Sequence, residues 1–191
     1  MKNIYFTLIA SLFLLGCKSG NTKAENAIPD SPAVVGTTPN IVSQPAIDTA
    51  TKFFKGAWFD IRYPANFVVK PSLISKANNK EGYESAFFTS PDGDVIFYVF
   101  SPWWSGKATD ISLKAGEKLI SKDSADDGLQ RTVKSWTIEA NDKSYLRSYQ
   151  EIIMDDHINM VFGIQYKDEA AYNKYKVQYI AFKESLNRYI E

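Results

Sequence analysis

Few side chains in this sequence can carry chemistry, and their types set narrow limits. The 191 residues include one Cys and one His, and 22 basic side chains balance 22 acidic ones for a formal charge of +0 at pH 7. A single thiol makes no intrachain disulfide and no multi-cysteine zinc or iron–sulfur site, and one imidazole makes no His-rich metal centre. His157 follows Asp155 and Asp156. Acid–base or metal work there would need a further ligand or a nucleophile nearby, and the sequence offers none that can be placed; the three residues read as turn formers. Asp123, Asp126, Asp127 and Gly128 imitate a calcium loop, yet Ala125 takes the third ligand position and Lys134 stands where the bidentate Glu belongs. That stretch reads as a solvated acidic turn. Asp92 and Asp94, flanking Gly93, read as turn residues on the same grounds. No nucleophile elbow, phosphate loop, dinucleotide fingerprint or His-Glu-x-x-His occurs. Charge balance also argues against nucleic acid as a partner, since phosphate recognition uses a basic excess. No catalytic residue, cofactor-binding residue or metal ligand is assigned.

Recognition chemistry is concentrated in Trp103 and Trp104, between Pro102 and Ser105-Gly106. Successive strand side chains point to opposite faces, so both indoles do not easily enter one core. Two arrangements stay open. One indole packs inside while the other lines a cleft or partner surface, where large aromatics often anchor a contact. Alternatively, both cover a sheet that is buried on two sides.

The cysteine has a context of its own. Lys2 supplies positive charge and Ile4 to Leu15 is an almost unbroken apolar run of 12 residues. A membrane span needs about 20 residues, so the run has the length of a signal-peptide core instead. It ends in Leu14-Leu15-Gly16-Cys17, which resembles the lipobox of bacterial lipoprotein precursors. The resemblance implies cleavage after residue 16 and a diacylglyceryl group on the Cys17 thiol, with the new amino terminus acylated as well. Each buried methylene contributes about 0.8 kcal/mol, so two or three long chains hold a bilayer firmly. Lys18, where an inner-membrane retention signal would place Asp, points to the outer membrane of a bacterial envelope.

Those residues must be positioned by a tether and a domain. Residues 18–50 have no aromatic side chain and hold four of the eight prolines, Pro29, Pro32, Pro39 and Pro45. As a flexible coil they span roughly 30 Å. The expected organisation is a signal peptide over 1–16, lipidated Cys17 with a linker over 17–51, and one globular domain over 52–191. Within that domain, alternation predicts strands at Ala57–Tyr63, Tyr83–Ser90, Asp94–Ser101, Gln130–Glu139, Ser144–Met154 and Ile158–Lys167. Glu117–Asp123 reads as a strand or the end of a short helix. Ala171, Tyr175, Tyr179, Phe182, Leu186 and Tyr189 recur at helical steps after Asp168, a good N-cap, predicting a helix from Glu169 to Tyr189. Val95, Phe97 and Val99 alternate with Ile96, Tyr98 and Phe100, so that strand is apolar on both faces and needs cover on both. The expected fold is α/β of the α+β kind: a mostly antiparallel sheet of six or seven strands, helices on both faces and a long C-terminal helix.

Trp58-Phe59-Asp60-Ile61-Arg62-Tyr63-Pro64-Ala65-Asn66-Phe67 resembles the opening signature of PsbP-like domains. Phe88-Thr89-Ser90-Pro91-Asp92-Gly93, leading into Val95–Phe100 and Ser101-Pro102, resembles that family's strand–turn–strand segment, and Phe182-Lys183-Glu184-Ser185-Leu186 sits where the family ends. The family implies an antiparallel sheet between helices and members that bind proteins through differing surfaces, without shared catalytic residues. The expected function is therefore a membrane-anchored envelope lipoprotein whose domain is a non-catalytic protein-binding or assembly module. A binder of a small apolar or sugar ligand is the alternative, and a hydrolase using Asp or Glu in a cleft is a third reading.

Overall fold

The computed structural model describes residues 50–74, 82–104, 106–126, 131–154 and 158–189. These belong to the compact unit Gln44–Glu191; the other unit, Met1–Ser43, lies outside them. Cys17, the linker up to Thr49, Asp127, Gly128 and the Asp155–Asp156–His157 turn are therefore also outside the described residues.

Strands β1 (Thr51–Lys55) and β2 (Phe59–Pro64) form a hairpin, followed by β3 (Val68–Ile74), β4 (Tyr83–Thr89) and β5 (Val95–Pro102). Next come β6 (Glu117–Asp126), β7 (Arg131–Ala140), β8 (Leu146–Met154) and β9 (Ile158–Tyr166), then helix α1 (Glu169–Glu184) and a two-residue β10 (Asn187–Arg188). Seven strands make one sheet in the order β3-β4-β5-β9-β8-β7-β6, and β1-β2-β10 make a small second sheet. Every pairing is antiparallel. No helix among the described residues is long and apolar enough to cross a membrane.

The alternation in β5 divides the core. Val95, Phe97 and Val99 turn to one face, with Phe88 of β4 and Phe162 and Ile164 of β9. There they meet Ala171, Tyr175, Tyr179 and Phe182 of α1, and Phe59 and Ile61 of the small sheet. Tyr98 and Phe100 turn to the far face, with Val161, Tyr149 and Ile138, and pack against Ile111. Both faces are covered, but not by helices on both sides. The far cover is an irregular segment carrying only the 3-10 turn Thr109–Ile111. Side-chain bonds described below hold it down, so no second helix is needed.

Two local devices set the helix. Asp168 Oδ1 accepts the Ala171 N–H at 2.8 Å, the expected N-cap. The helix stops at Glu184, five residues short of Tyr189. Ser185 Oγ donates to the Phe182 carbonyl at 2.8 Å and accepts the Arg62 N–H at 2.9 Å. Asn187 and Arg188 then pair with Asp60 and Phe59 of β2; this tertiary pairing overrides the helical period that continues to Leu186 and Tyr189. At the other end of the helix, Asp92 of the β4–β5 turn accepts Lys174 Nζ and Tyr175 Oη, both at 2.8 Å. Its other oxygen accepts the Ser90 hydroxyl at 2.5 Å and the Asp94 N–H at 3.1 Å. Asp92 thus shapes the turn and clamps the helix. Gly93 follows at φ +74°, a left-handed conformation that suits glycine.

Candidate functional site

The two indoles singled out by sequence sit at the end of β5, where four chain segments converge. Trp103 N–H donates to the Gly82 carbonyl at 2.7 Å, carrying strand pairing one residue past Pro102. Its ring stacks on Trp58, with centroids 5.7 Å apart and planes 14° apart. Trp58 lies in the β1–β2 turn. That turn is braced by Glu84, whose Oε2 accepts the Ala57 N–H at 2.8 Å. A Cβ on Gly82 would lie 2.0 Å from the Trp58 ring, so only glycine lets the indole pass there. The C-terminal segment closes the corner. Arg188 donates to the Pro102 and Trp103 carbonyls at 3.1 and 3.0 Å, and Tyr189 N–H to the Trp58 carbonyl at 3.1 Å.

Neither Trp103 nor Trp104 enters the main core. Trp103 and Trp58 are half-buried, whereas Trp104 is 50% exposed and Tyr189 39%. The Trp58–Trp103 stack, the adjoining Trp104 and the Tyr189 backbone therefore meet at one corner. Beneath it, burial raises the pKa of Glu84 against the lowering effect of the Ala57 N–H.

The far face contains the polar network that sequence reading missed. Arg147, 2% exposed, donates from Nη1 to the Ile111 carbonyl at 2.9 Å and to Tyr149 Oη at 3.0 Å. Its Nη2 donates to the Ser112 carbonyl at 3.0 Å and pairs with Glu117 Oε2. Glu117 also accepts Tyr145 Oη and the Lys114 N–H, each at 2.7 Å. Burial alone would raise the Glu117 pKa, but the Arg147, Tyr145 and Lys114 bonds bring it down to about 2. Asp110 completes the attachment, accepting Tyr98 Oη and Ser85 Oγ at 2.7 Å each. All these groups fasten the 3-10 segment to the sheet. Ser85 Oγ, besides donating to Asp110, accepts the Leu73 N–H at 2.9 Å, so the hydroxyl ties β3, β4 and the 3-10 segment together.

A row of rings crosses the same face. Phe87, Tyr98, Gly163, Tyr149, Trp136 and Lys122 are successive cross-strand neighbours on β4, β5, β9, β8, β7 and β6. Tyr149 lies over Gly163, stacked on Trp136 at 5.4 Å and edge-on to Tyr98 at 5.9 Å. The one advance sign of this packing was Gly163 itself, which interrupts the apolar run from Met160 to Ile164. Asp123, from the discounted calcium loop, is exposed on β6. Among the described residues no group of three or more His, Cys, Asp or Glu side chains converges.

No family model matches the sequence, and no curated protein matches it. Among solved structures, the chain is similar to the solution structure of cyanobacterial PsbP (CyanoP) from Synechocystis sp. PCC 6803. The TM-score is 0.42 at 11% identity, over 81% of this chain and 99% of that one. The likeness is one of fold.

Proposed function

We propose that this protein is a non-catalytic binding module, fastened to the bacterial envelope by acyl chains on Cys17, that grips an envelope protein with its tryptophan corner. One observation carries the reading: Trp58, Trp103 and Trp104 gather at one corner with Tyr189, leaving Trp104 half in solvent. A stacked pair buttressed from below and an exposed indole beside it is the composition of a contact anchor, because a rigid aromatic buries much area at little entropic cost. Asp110 and Glu117 on the far face are engaged in holding a loop rather than converging on a cleft, which argues against the hydrolase reading. The outer membrane is the proposed location, on the strength of Lys18.

A photoreactive residue in place of Trp104, activated in intact cells, tests the corner, with the same residue at Val177 on the outside of α1 as control. The expected result is one enriched envelope protein captured at position 104 and not at 177. Capture of the same abundant lipoproteins at both positions would overturn the assignment. Metabolic labelling with an alkyne fatty acid tests the anchor, which should vanish in Cys17→Ser.

A further inference from the structure

The seven-stranded sheet is wider than its covers, and its β6–β7 end shows what the covers leave behind. On the helix side, β7 presents Ser135, Thr137 and Glu139 beyond Val133, which faces Ile152 of β8. Thr137 there shares a hydrogen bond of 3.0 Å with Ser148. On the far side the same strand presents Lys134, Trp136 and Ile138, beside Leu119 of β6. A sheet face that merely meets solvent is normally polar; this one sets Trp136, Ile138 and Leu119 among its charged side chains and is bounded. The fastened 3-10 segment, with Ile111 and Leu113, forms one wall of a groove of about 470 Å³ over Trp136. That volume is within the range of small-ligand sites.

Its charges select the occupant. Lys122 and Lys134 line the groove and enter no ion pair or hydrogen bond among the described residues. The one acidic side chain in the lining, Glu151, is the direct cross-strand neighbour of Lys134, and its Oε1 accepts Asn159 Nδ2 at 3.0 Å toward the Gly106 end. Two cations against one carboxylate leave an excess of one positive charge beside an indole, a place for a flat or acyl body with a negative head. We infer that this groove binds a small amphipathic anion, an aryl or acyl carboxylate or sulfonate. Its apolar part covers Trp136 and Ile138, and its head lies between Lys122 and Lys134. The site is separate from the tryptophan corner and stands or falls independently of it.

The test uses 8-anilinonaphthalene-1-sulfonate and N-phenyl-1-naphthylamine, which has the same ring systems without the sulfonate. Each is titrated into the ¹⁵N-labelled full chain carrying Cys17→Ser, which keeps acyl chains out of the assay, and the four indole N–H signals are followed. The sulfonate should move the Trp136 signal first. Partly exposed charge contacts are individually weak, so the neutral probe and the Lys122→Ala/Lys134→Ala double variant should each show about tenfold weaker binding. Lys122 is exposed and Lys134 part-buried on the sheet surface, so the double variant should stay folded, with a urea midpoint close to that of the wild type. Equal affinity for the two probes, an unchanged double variant, or a first response at Trp58, Trp103 or Trp104 would overturn the inference.

Discussion

Gly163 offers a sharp test of how the far face is packed. It lies in the middle of β9, paired with Tyr98 on one side and Tyr149 on the other. An added Cβ would stand 2.4 Å from both Cδ1 and Cε1 of Tyr149 and 3.2 Å from Tyr98 Cβ. Carbon atoms settle at about 3.5–4.0 Å, so the ring must move by more than an ångström. It has little freedom to do so, because Trp136 stacks on it, Tyr98 meets its edge, and Arg147 donates to its hydroxyl. Overpacking of this kind costs about 1–3 kcal/mol. Losing a hydrogen bond from a charged group adds about 1.5–3 kcal/mol, offset by about 0.5–1 kcal/mol from replacing glycine in a strand. Gly163→Ala should therefore destabilise by about 1.5–5.5 kcal/mol, read as a lower urea midpoint at constant slope. In a Tyr149→Ala background the ring is gone and only the 3.2 Å approach to Tyr98 Cβ remains, so adding Gly163→Ala should cost little and the double-mutant cycle returns most of the destabilisation as coupling. Wild-type stability in Gly163→Ala, or the full cost persisting in the Tyr149→Ala background, would refute the packing argument.

Three further outcomes follow. Because the Glu117 pKa is lowered from 4.5 to about 2, its contribution is complete above 4.5 and is lost as pH falls toward 2. Glu117→Gln should flatten that part of the stability–pH curve and cost about 3–5 kcal/mol near neutrality, since it strips the buried Arg147 of its counter-ion; urea midpoints across pH check both. Trp103→Ala should cost about 2–3 kcal/mol through the lost Trp58 stack, and Trp104→Ala less than about 1 kcal/mol, so equal losses in melting temperature would contradict the division between buttress and exposed anchor. Asp92→Asn should cost about 1–2 kcal/mol and speed amide exchange in the first turns of α1 as well as at Ser90–Val95. Exchange confined to the turn would mean that the Lys174 and Tyr175 bonds do not hold the helix.

Sequence patterns located elements wherever burial alternated and punctuation was strong. The strands around Pro91-Asp92-Gly93 match to within a residue at each end, and the helix start at Asp168 matches its cap. Two strands left no such trace. β1 is exposed at all but Phe54, so it has no apolar period to read, and β3 carries Pro71, which normally argues against a strand. Pro71 is tolerated because β3 is the sheet edge and bulges between Pro71 and Ile74. β6 was ambiguous for the same reason as β1, since nearly every residue in it is exposed. The site was less legible still. Trp103 could be flagged by its neighbour, but its stacking partner Trp58 lies 45 positions earlier, and Gly82 had to be glycine for reasons only the third dimension supplies. Arg147 and Glu117 are 30 residues apart, and nothing local marks either as buried.

The Arg147 network also bears on what the groove can do. A wall made of irregular chain would normally have to be ordered when a ligand arrives, which weakens binding. Here Arg147 grips the Ile111 and Ser112 carbonyls, Glu117 grips the Lys114 N–H, and Asp110 is held by Tyr98 and Ser85. The wall is thus fixed at both ends of the 3-10 turn before anything binds. The floor is fixed as well, since Trp136 is stacked on the same Tyr149 ring that Arg147 bonds. One buried guanidinium therefore sets the distance between wall and floor. A groove built this way is pre-organised for a small rigid body rather than for a long adaptable segment of another protein, which is the physical reason to look for a small anion there and for a protein at the tryptophan corner.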